Sequence, residues 1–102
     1  MKLYRAHQYL SAERFSDDKY VAMMLFEDTE SYTPRYPIMV EEIPIVKMWD
    51  MYDVETGDDY EIYLTDKGFL YSIDGNGILI AIGTPYEDPE HTLIREGRAW
   101  DI

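Results

Sequence analysis

The chain has 102 residues, of which 46% are hydrophobic and none is cysteine, and its 21 acidic residues outnumber nine basic ones to give a net charge of −12. This composition predicts one folded domain spanning residues 1–102, and it excludes disulfide-stapled scaffolds, thiolate metal sites and cysteine nucleophiles. A charge of −12 exceeds the magnitude of about 2–8 that serves solubility in a small domain, so bare nucleic acid and anionic membranes are not expected partners.

The first third of the chain predicts a strand, a short helical turn and a second, buried strand. Residues 2–6 favour an edge strand, and the residues that follow Ser11 favour the helical turn. The apolar run at residues 20–26 favours a strand covered on both faces, although its periodicity leaves a buried helix open. No apolar leader follows Met1 and no apolar run approaches 18 residues. The expected compartment is therefore the cytoplasm, that of the host if the protein is phage-encoded.

The rest of the chain predicts a β-meander. Residues 28–37 are typical of a loop, residues 38–40 and 43–52 look extended, and Pro44 indicates a sheet edge or a bulge. Glycine-bearing turns then separate three short strands at residues 60–64, 69–73 and 78–82. A helix is expected at residues 89–96, followed by an extended segment at 98–102. The predicted fold class is α+β and β-rich: a small antiparallel sheet of about five or six strands with one or two short helices.

No catalytic or metal-binding motif stands out. The run Asp74-Gly75-Asn76-Gly77 resembles part of a calcium loop, but that register places Ser72 and Gly83 where the loop needs carboxylates. A tight hairpin is the better interpretation. The two histidines, His7 and His91, have no partner at metal-ligand spacing. Carboxylates beside aromatic rings would suit a glycosidase, yet no pair is distinguished among the 21 acids. We therefore expect a non-enzymatic protein without metal or cofactor.

The most informative segment lies between Lys47 and Lys67, where seven acidic residues alternate with aromatic ones and no residue is basic. On a strand, alternate residues lie on one face about 6.6 Å apart. Phosphates along one strand of a duplex are separated by roughly 7 Å, so alternate carboxylates can present charge at phosphate-like intervals. Tyrosines beside them would supply rigid contacts. The predicted partner-binding residues are Trp49, Asp50, Tyr52, Asp53, Glu55, Asp58, Asp59, Tyr60, Glu61, Tyr63 and Asp66.

These features predict an inhibitor that occupies the basic nucleic-acid-binding groove of a partner protein, acting as a monomer or small homo-oligomer. In overall character the chain is similar to phage-encoded anti-restriction and anti-CRISPR proteins, some of which mimic DNA, but no motif carries over residue by residue. One alternative is a phage or mobile-element assembly protein that oligomerises through its sheet edge. Carbohydrate binding through Trp49 is a weaker alternative. The acids also fit the solvated face of an ordinary sheet equally well.

Overall fold

The computed structural model describes residues 1–9 and 11–83, which form six antiparallel strands and one helix. The predicted helix at residues 89–96, the segment 98–102 and His91 lie outside the described residues. The elements in chain order are β1 (Lys2–His7), β2 (Glu13–Ser16), α1 (Lys19–Glu27), β3 (Met39–Asp53), β4 (Asp58–Thr65), β5 (Leu70–Asp74) and β6 (Leu79–Gly83).

The strands form one curled sheet in the order β2-β1-β3-β4-β5-β6. Strands β3 to β6 follow one another as the predicted meander, and the β-rich α+β fold class is confirmed. The curl of the sheet brings its edge strand β2 close to the turn between β5 and β6. There the Phe15 N–H donates a 2.8 Å hydrogen bond to the Gly77 carbonyl. Gly77 has a φ of 78°, and a Cβ at this position would lie 2.7 Å from the Phe15 carbonyl oxygen.

Both faces of the sheet carry buried side chains. On one face, the main core contains Leu3, Phe15, Ile45, Tyr63 and Ile73. The opposite face has two smaller clusters. One lies beneath α1 and is built from Ala6, Ala22 and Phe26, and the other lies on the meander and is built from Met51, Ile62 and Leu70.

The apolar run at residues 20–26 is helical, so the strand prediction for it was wrong. Asp18 caps α1, since its carboxylate accepts hydrogen bonds from the backbone N–H groups of Tyr20 and Val21 at 2.9 and 3.2 Å. Ala22 and Phe26, one turn apart, are both fully buried against β1. No helix within residues 1–9 and 11–83 is long and apolar enough to cross a membrane.

Two further predictions near the N-terminus need correction. The helical turn expected after Ser11 is the strand β2, and this strand takes the sheet edge that was predicted for residues 2–6. Strand β1 is interior because it pairs with β2 on one side and with β3 on the other.

Strand β3 is continuous where two extended segments were predicted. It pairs with β1 as far as Pro44 and with β4 from Ile45 onward, and the register shifts between Ile45 and Lys47. Pro44 therefore lies next to a bulge in an interior strand rather than at a sheet edge. Proline has no N–H, but no hydrogen bond between β3 and β1 is lost at Pro44. The bond at this point of the ladder is donated by the next residue, Ile45, to the Met1 carbonyl.

Candidate functional site: an acidic hairpin

The end of β3, the start of β4 and the turn between them form what we call the acidic hairpin, residues 50–61. The turn closes through a 2.8 Å hydrogen bond from the Gly57 N–H to the Asp53 carbonyl. The Asp53 carboxylate also accepts the N–H groups of Glu55 and Thr56 at 2.9 and 3.3 Å. Gly57 has a φ of 76°, which favours glycine, so the local sequence itself specifies the turn.

The strand register places like charges directly opposite one another. Asp50 pairs with Glu61 on one face of the hairpin, and Asp53 pairs with Asp58 on the other. Like charges in opposite positions destabilise a β-ladder, by an amount on the order of 0.2–1 kcal/mol per pair. The register therefore sets acids of the two strands against one another across the ladder.

The hairpin adjoins a cleft whose walls are strongly acidic. The cleft has a volume of about 720 Å³ and lies between the hairpin and the β5–β6 turn. It is lined by carboxylates from both elements, which are Asp53, Glu55, Asp58, Asp59 and Asp74. Within the described part of the chain, no group of three or more acidic or histidine side chains has the arrangement of a metal site.

Two acidic residues from outside the predicted segment join this surface. Asp74 lies opposite Tyr60 in the ladder between β4 and β5 and so reaches the cleft. Asp17, just before α1, lies close enough for its charge to act on Glu61 and Tyr63. The position of Asp74 beside the hairpin could have been predicted from the register of the meander, which pairs it with Tyr60. No local signal indicates Asp17, because the curl of the sheet brings it there.

Glu61 and Tyr63 form a polar contact at the border of the core. Tyr63 is 1% exposed, and its hydroxyl is hydrogen-bonded to the Glu61 carboxylate. Burial raises the pKa of Glu61, the Tyr63 hydroxyl opposes this rise, and the charges of Asp17 and Asp50 add to it. Burial and the Glu61 charge likewise raise the pKa of Tyr63. The phenol therefore stays protonated and donates to the carboxylate.

Of the four predicted aromatic residues, only Tyr52 is exposed beside the acids. Tyr52 is 41% exposed, and its hydroxyl lies near Gly57, beside the tip of the hairpin. The expectation of an exposed Tyr63 is wrong, because this ring belongs to the main core. Tyr60 and Trp49 are half-buried and pack against the cluster of Met51, Ile62 and Leu70 on the opposite face.

Asp66 and Trp49 also lie apart from the tip of the hairpin. Asp66 is at the far end of β4, where its backbone N–H donates to the Pro44 carbonyl at 3.2 Å. The Lys47 ammonium lies 5.0 Å from the centroid of the Trp49 ring, a distance typical of a cation–π contact. The structure therefore brings together the acids of residues 50–61 with Asp74 and Asp17, and it separates Asp66 from them.

The acids elsewhere in the sheet have basic neighbours. Glu42 contacts Lys2 at 2.9 Å, and Arg5 lies 3.2 Å from Glu13 and 3.6 Å from Glu41. In contrast, the hairpin acids Asp53, Glu55, Asp58 and Asp59 form no ion pair with any residue of segments 1–9 and 11–83. Within the described sheet, the acids beside β1 are therefore ion-paired, and these four acids at the tip of the acidic hairpin are not.

Comparison with known proteins gives no relative for this chain: no protein-family model matches it, and no match was found among curated proteins or solved structures.

Proposed function

We propose that this protein is a non-enzymatic inhibitor that inserts the acidic hairpin into the cationic nucleic-acid-binding groove of a partner protein. The observation that carries the proposal is a difference in ion pairing: β1 supplies basic neighbours to Glu41 and Glu42, whereas the four acids at the hairpin tip, Asp53, Glu55, Asp58 and Asp59, form no ion pair with the described residues. A groove lined by lysine and arginine would provide those missing counter-charges.

The spacing of the carboxylates supports the same proposal. Asp59 and Glu61 are alternate residues of β4 and face the same side, about 6.6 Å apart. This distance is close to the roughly 7 Å between successive phosphates of a duplex strand. Asp50, opposite Glu61, places a third carboxylate on the same face. The exposed Tyr52 ring next to this face adds a rigid contact of the kind enriched at protein interfaces.

The experiment compares two variants that each lose three negative charges. The first, E55Q/D58N/D59N, neutralises the hairpin tip, and the control, E27Q/D28N/E30Q, neutralises exposed acids between α1 and the following loop. Nucleic-acid-binding proteins captured from host lysate at low salt are purified and loaded with a labelled duplex. The wild type is expected to displace the duplex, with an affinity that falls steeply as salt rises.

The control should displace the duplex almost as well as the wild type, and the hairpin variant should be at least tenfold weaker. Equal losses in both variants would show that total charge, and not the hairpin, determines binding. An affinity that is flat between low and high salt would rule out mimicry of nucleic acid.

A specific observation also favours the alternative of self-assembly through a sheet edge. Strand β6 ends the sheet as described, contains no charged residue, and leaves Ile80 and Ile82 54% and 53% exposed. An uncharged apolar edge strand is a template for pairing with another chain. Sedimentation separates the two proposals. Self-assembly predicts an oligomer whose population rises with protein concentration and that is absent in the variant I80K.

A further inference from the structure

A second cleft lies at the opposite end of β3 from the acidic hairpin. It has a volume of about 640 Å³, and its walls include Tyr9, Tyr36, Pro37 and Met39. We call it the tyrosine cleft. Met39 begins the 15-residue strand β3 and Asp53 ends it, so the two sites are roughly 45 Å apart along the strand. A ligand of one site therefore need not touch the other.

The tyrosine cleft exposes the side-chain types that are enriched at binding sites. Tyr9 is 84% exposed, Tyr36 is 59% exposed and Met39 is 44% exposed. Aromatic and methionine side chains are over-represented in protein interfaces because they bury much area for little conformational entropy. None of the residues that line this cleft, as far as the structure describes it, is charged, although the chain as a whole carries −12.

One buried side chain holds the loop of this cleft in place. Gln8 is 6% exposed, and its amide nitrogen donates to the carbonyl oxygens of Thr33 and Tyr36, both at 2.9 Å. Its amide oxygen accepts the Thr33 N–H, also at 2.9 Å. Tyr32 fixes the same loop by packing edge-on against Phe26 with ring centroids 6.1 Å apart. The cleft is thus pre-organised, which reduces the entropy lost on binding.

The hydrogen-bonding capacity that remains in the cleft consists of hydroxyl groups. Both amide hydrogens of Gln8 are used by the loop, and the Ser11 hydroxyl is bonded to the Gln8 and Ala12 backbone. Among the side-chain hydrogen bonds of the described residues, none involves the hydroxyl group of Tyr36, Ser31 or Thr33. These hydroxyl groups can therefore donate hydrogen bonds to a ligand that also contacts the apolar rings. Among its described lining residues, the cleft has no charged side chain that could pair with an ionic ligand.

These properties match a polyproline II segment. Such a segment has no internal hydrogen bonds, so its carbonyl oxygens are free acceptors, and its proline rings have no N–H to satisfy. Aromatic-lined grooves are the usual receptors for it.

We propose that the tyrosine cleft binds an uncharged, proline-rich segment of a partner protein in the polyproline II conformation. This function is independent of the acidic hairpin and does not depend on the inhibitor proposal. Since the cleft is uncharged, the interaction should be nearly insensitive to salt, unlike binding at the hairpin.

The test is an NMR titration of the ¹⁵N-labelled full chain with acetylated and amidated decaproline. The amide signals of Tyr9, Thr33 and Tyr36 are expected to shift, while those of residues 50–61 stay in place, and the affinity should change less than twofold between 50 and 500 mM salt. A glycine-serine peptide of equal length and maltohexaose serve as ligand controls and should leave the signals unchanged.

The variant Y36A is expected to weaken decaproline binding at least tenfold, which is typical of removing a central aromatic contact. The matched control is Y20A, because Tyr20 is 73% exposed on α1 and does not line the cleft. An absence of shifts at millimolar decaproline would overturn the proposal. Shifts with maltohexaose instead, or equal affinities of Y36A and wild type, would overturn it as well.

Discussion

The backbone at Gly77 combines a positive φ with a close approach between β2 and the turn that connects β5 to β6. Its φ is 78°, and an added Cβ would lie 2.7 Å from the Phe15 carbonyl oxygen and 2.8 Å from the Leu25 side chain. The first contact is with backbone, which cannot move without breaking the hydrogen bond between Phe15 and Gly77. A single atom at this position therefore affects how the sheet curls.

We predict that G77A lowers the free energy of unfolding by at least about 2 kcal/mol, since it adds both a left-handed backbone penalty and overpacking. The matched control is G75A in the same turn, where an added Cβ meets nothing within 4 Å. That change should stay within about 0.5 kcal/mol of the wild type. Urea unfolding of the full chain measures both, and equal stabilities would show that the Phe15–Gly77 contact is unimportant.

A second prediction at the residue scale concerns Glu61. Because its pKa is raised in the folded protein, the folded state binds a proton there more tightly than the unfolded state does. The stabilisation from this group is therefore complete below its ordinary pKa of 4.5 and is lost as the pH rises through the raised folded-state pKa. At neutral pH the charged Glu61 is a net cost.

The variant E61Q removes that charge and keeps an acceptor for the Tyr63 hydroxyl. We expect it to be more stable than the wild type at pH 7, with a difference that disappears near pH 4, as measured by urea unfolding at both pH values. E55Q, an exposed acid of the same hairpin, should show a much smaller dependence on pH. A less stable E61Q at pH 7 would contradict this account of the site.

Among the elements, α1 shows most clearly where the sequence pattern is insufficient. Residues 20–26 are all apolar, so neither a period of two nor one of 3.6 is visible within them. The helix is selected by the Asp18 cap and by the packing of Ala22 and Phe26 against Ala6 of β1. The cap is local and could have been recognised, whereas the packing depends on the sheet having formed.

The meander, in contrast, was predictable because its determinants are local. Gly57, Gly68 and Gly77 all have positive φ and mark the three turns that connect β3 to β6. The prediction that Glu61 and Tyr63 lie on one face of β4 and Ile62 on the other is likewise confirmed. Which of these faces is buried could not be predicted. Ile62 and Tyr63 are 0% and 1% exposed because the curled sheet buries side chains on both faces.

At the scale of the helix, D18A is predicted to cost about 1 kcal/mol of stability because two backbone N–H groups lose their acceptor. The neighbouring D17A is the control. Asp17 does not cap the helix, and its removal takes away a like charge near Glu61. D17A should therefore be as stable as the wild type or slightly more so in the same urea experiment. A loss of stability in D17A equal to that in D18A would argue against the cap.

At the scale of the whole molecule, the essential feature is a difference in ion pairing along β3: Glu41 and Glu42 at its start are ion-paired, whereas Asp53 at its end forms no ion pair with the described residues. The half of β3 next to β1 has Lys2 and Arg5 as counter-charges for its acids. Beyond Pro44 the partner strand is β4, which contributes Asp58, Asp59 and Glu61 and no basic residue. The change of partner strand at Pro44 thus coincides with the change in electrostatic character.

The separation of charge was only half predictable from the sequence. The lack of basic residues between Lys47 and Lys67 is evident in the sequence. The neutralisation of Glu41 by Arg5 and the approach of Asp17 and Asp74 to the hairpin are long-range consequences of the strand order. These long-range contacts determine which acids of β3 are ion-paired and which other acids lie near the hairpin.

The most direct test of this claim is an NMR titration of the ¹⁵N-labelled full chain with octa-arginine, which needs no natural partner. Octa-arginine is expected to shift the amide signals of residues 50–61 and of Asp74 first, and the shifts should diminish with added salt. The acids Glu27, Asp28 and Glu30, which are also exposed, should respond at clearly higher peptide concentration. Shifts of equal size and midpoint at residues 27–30 and 50–61 would contradict the account, because the charge would then act as a uniform surface rather than as a site.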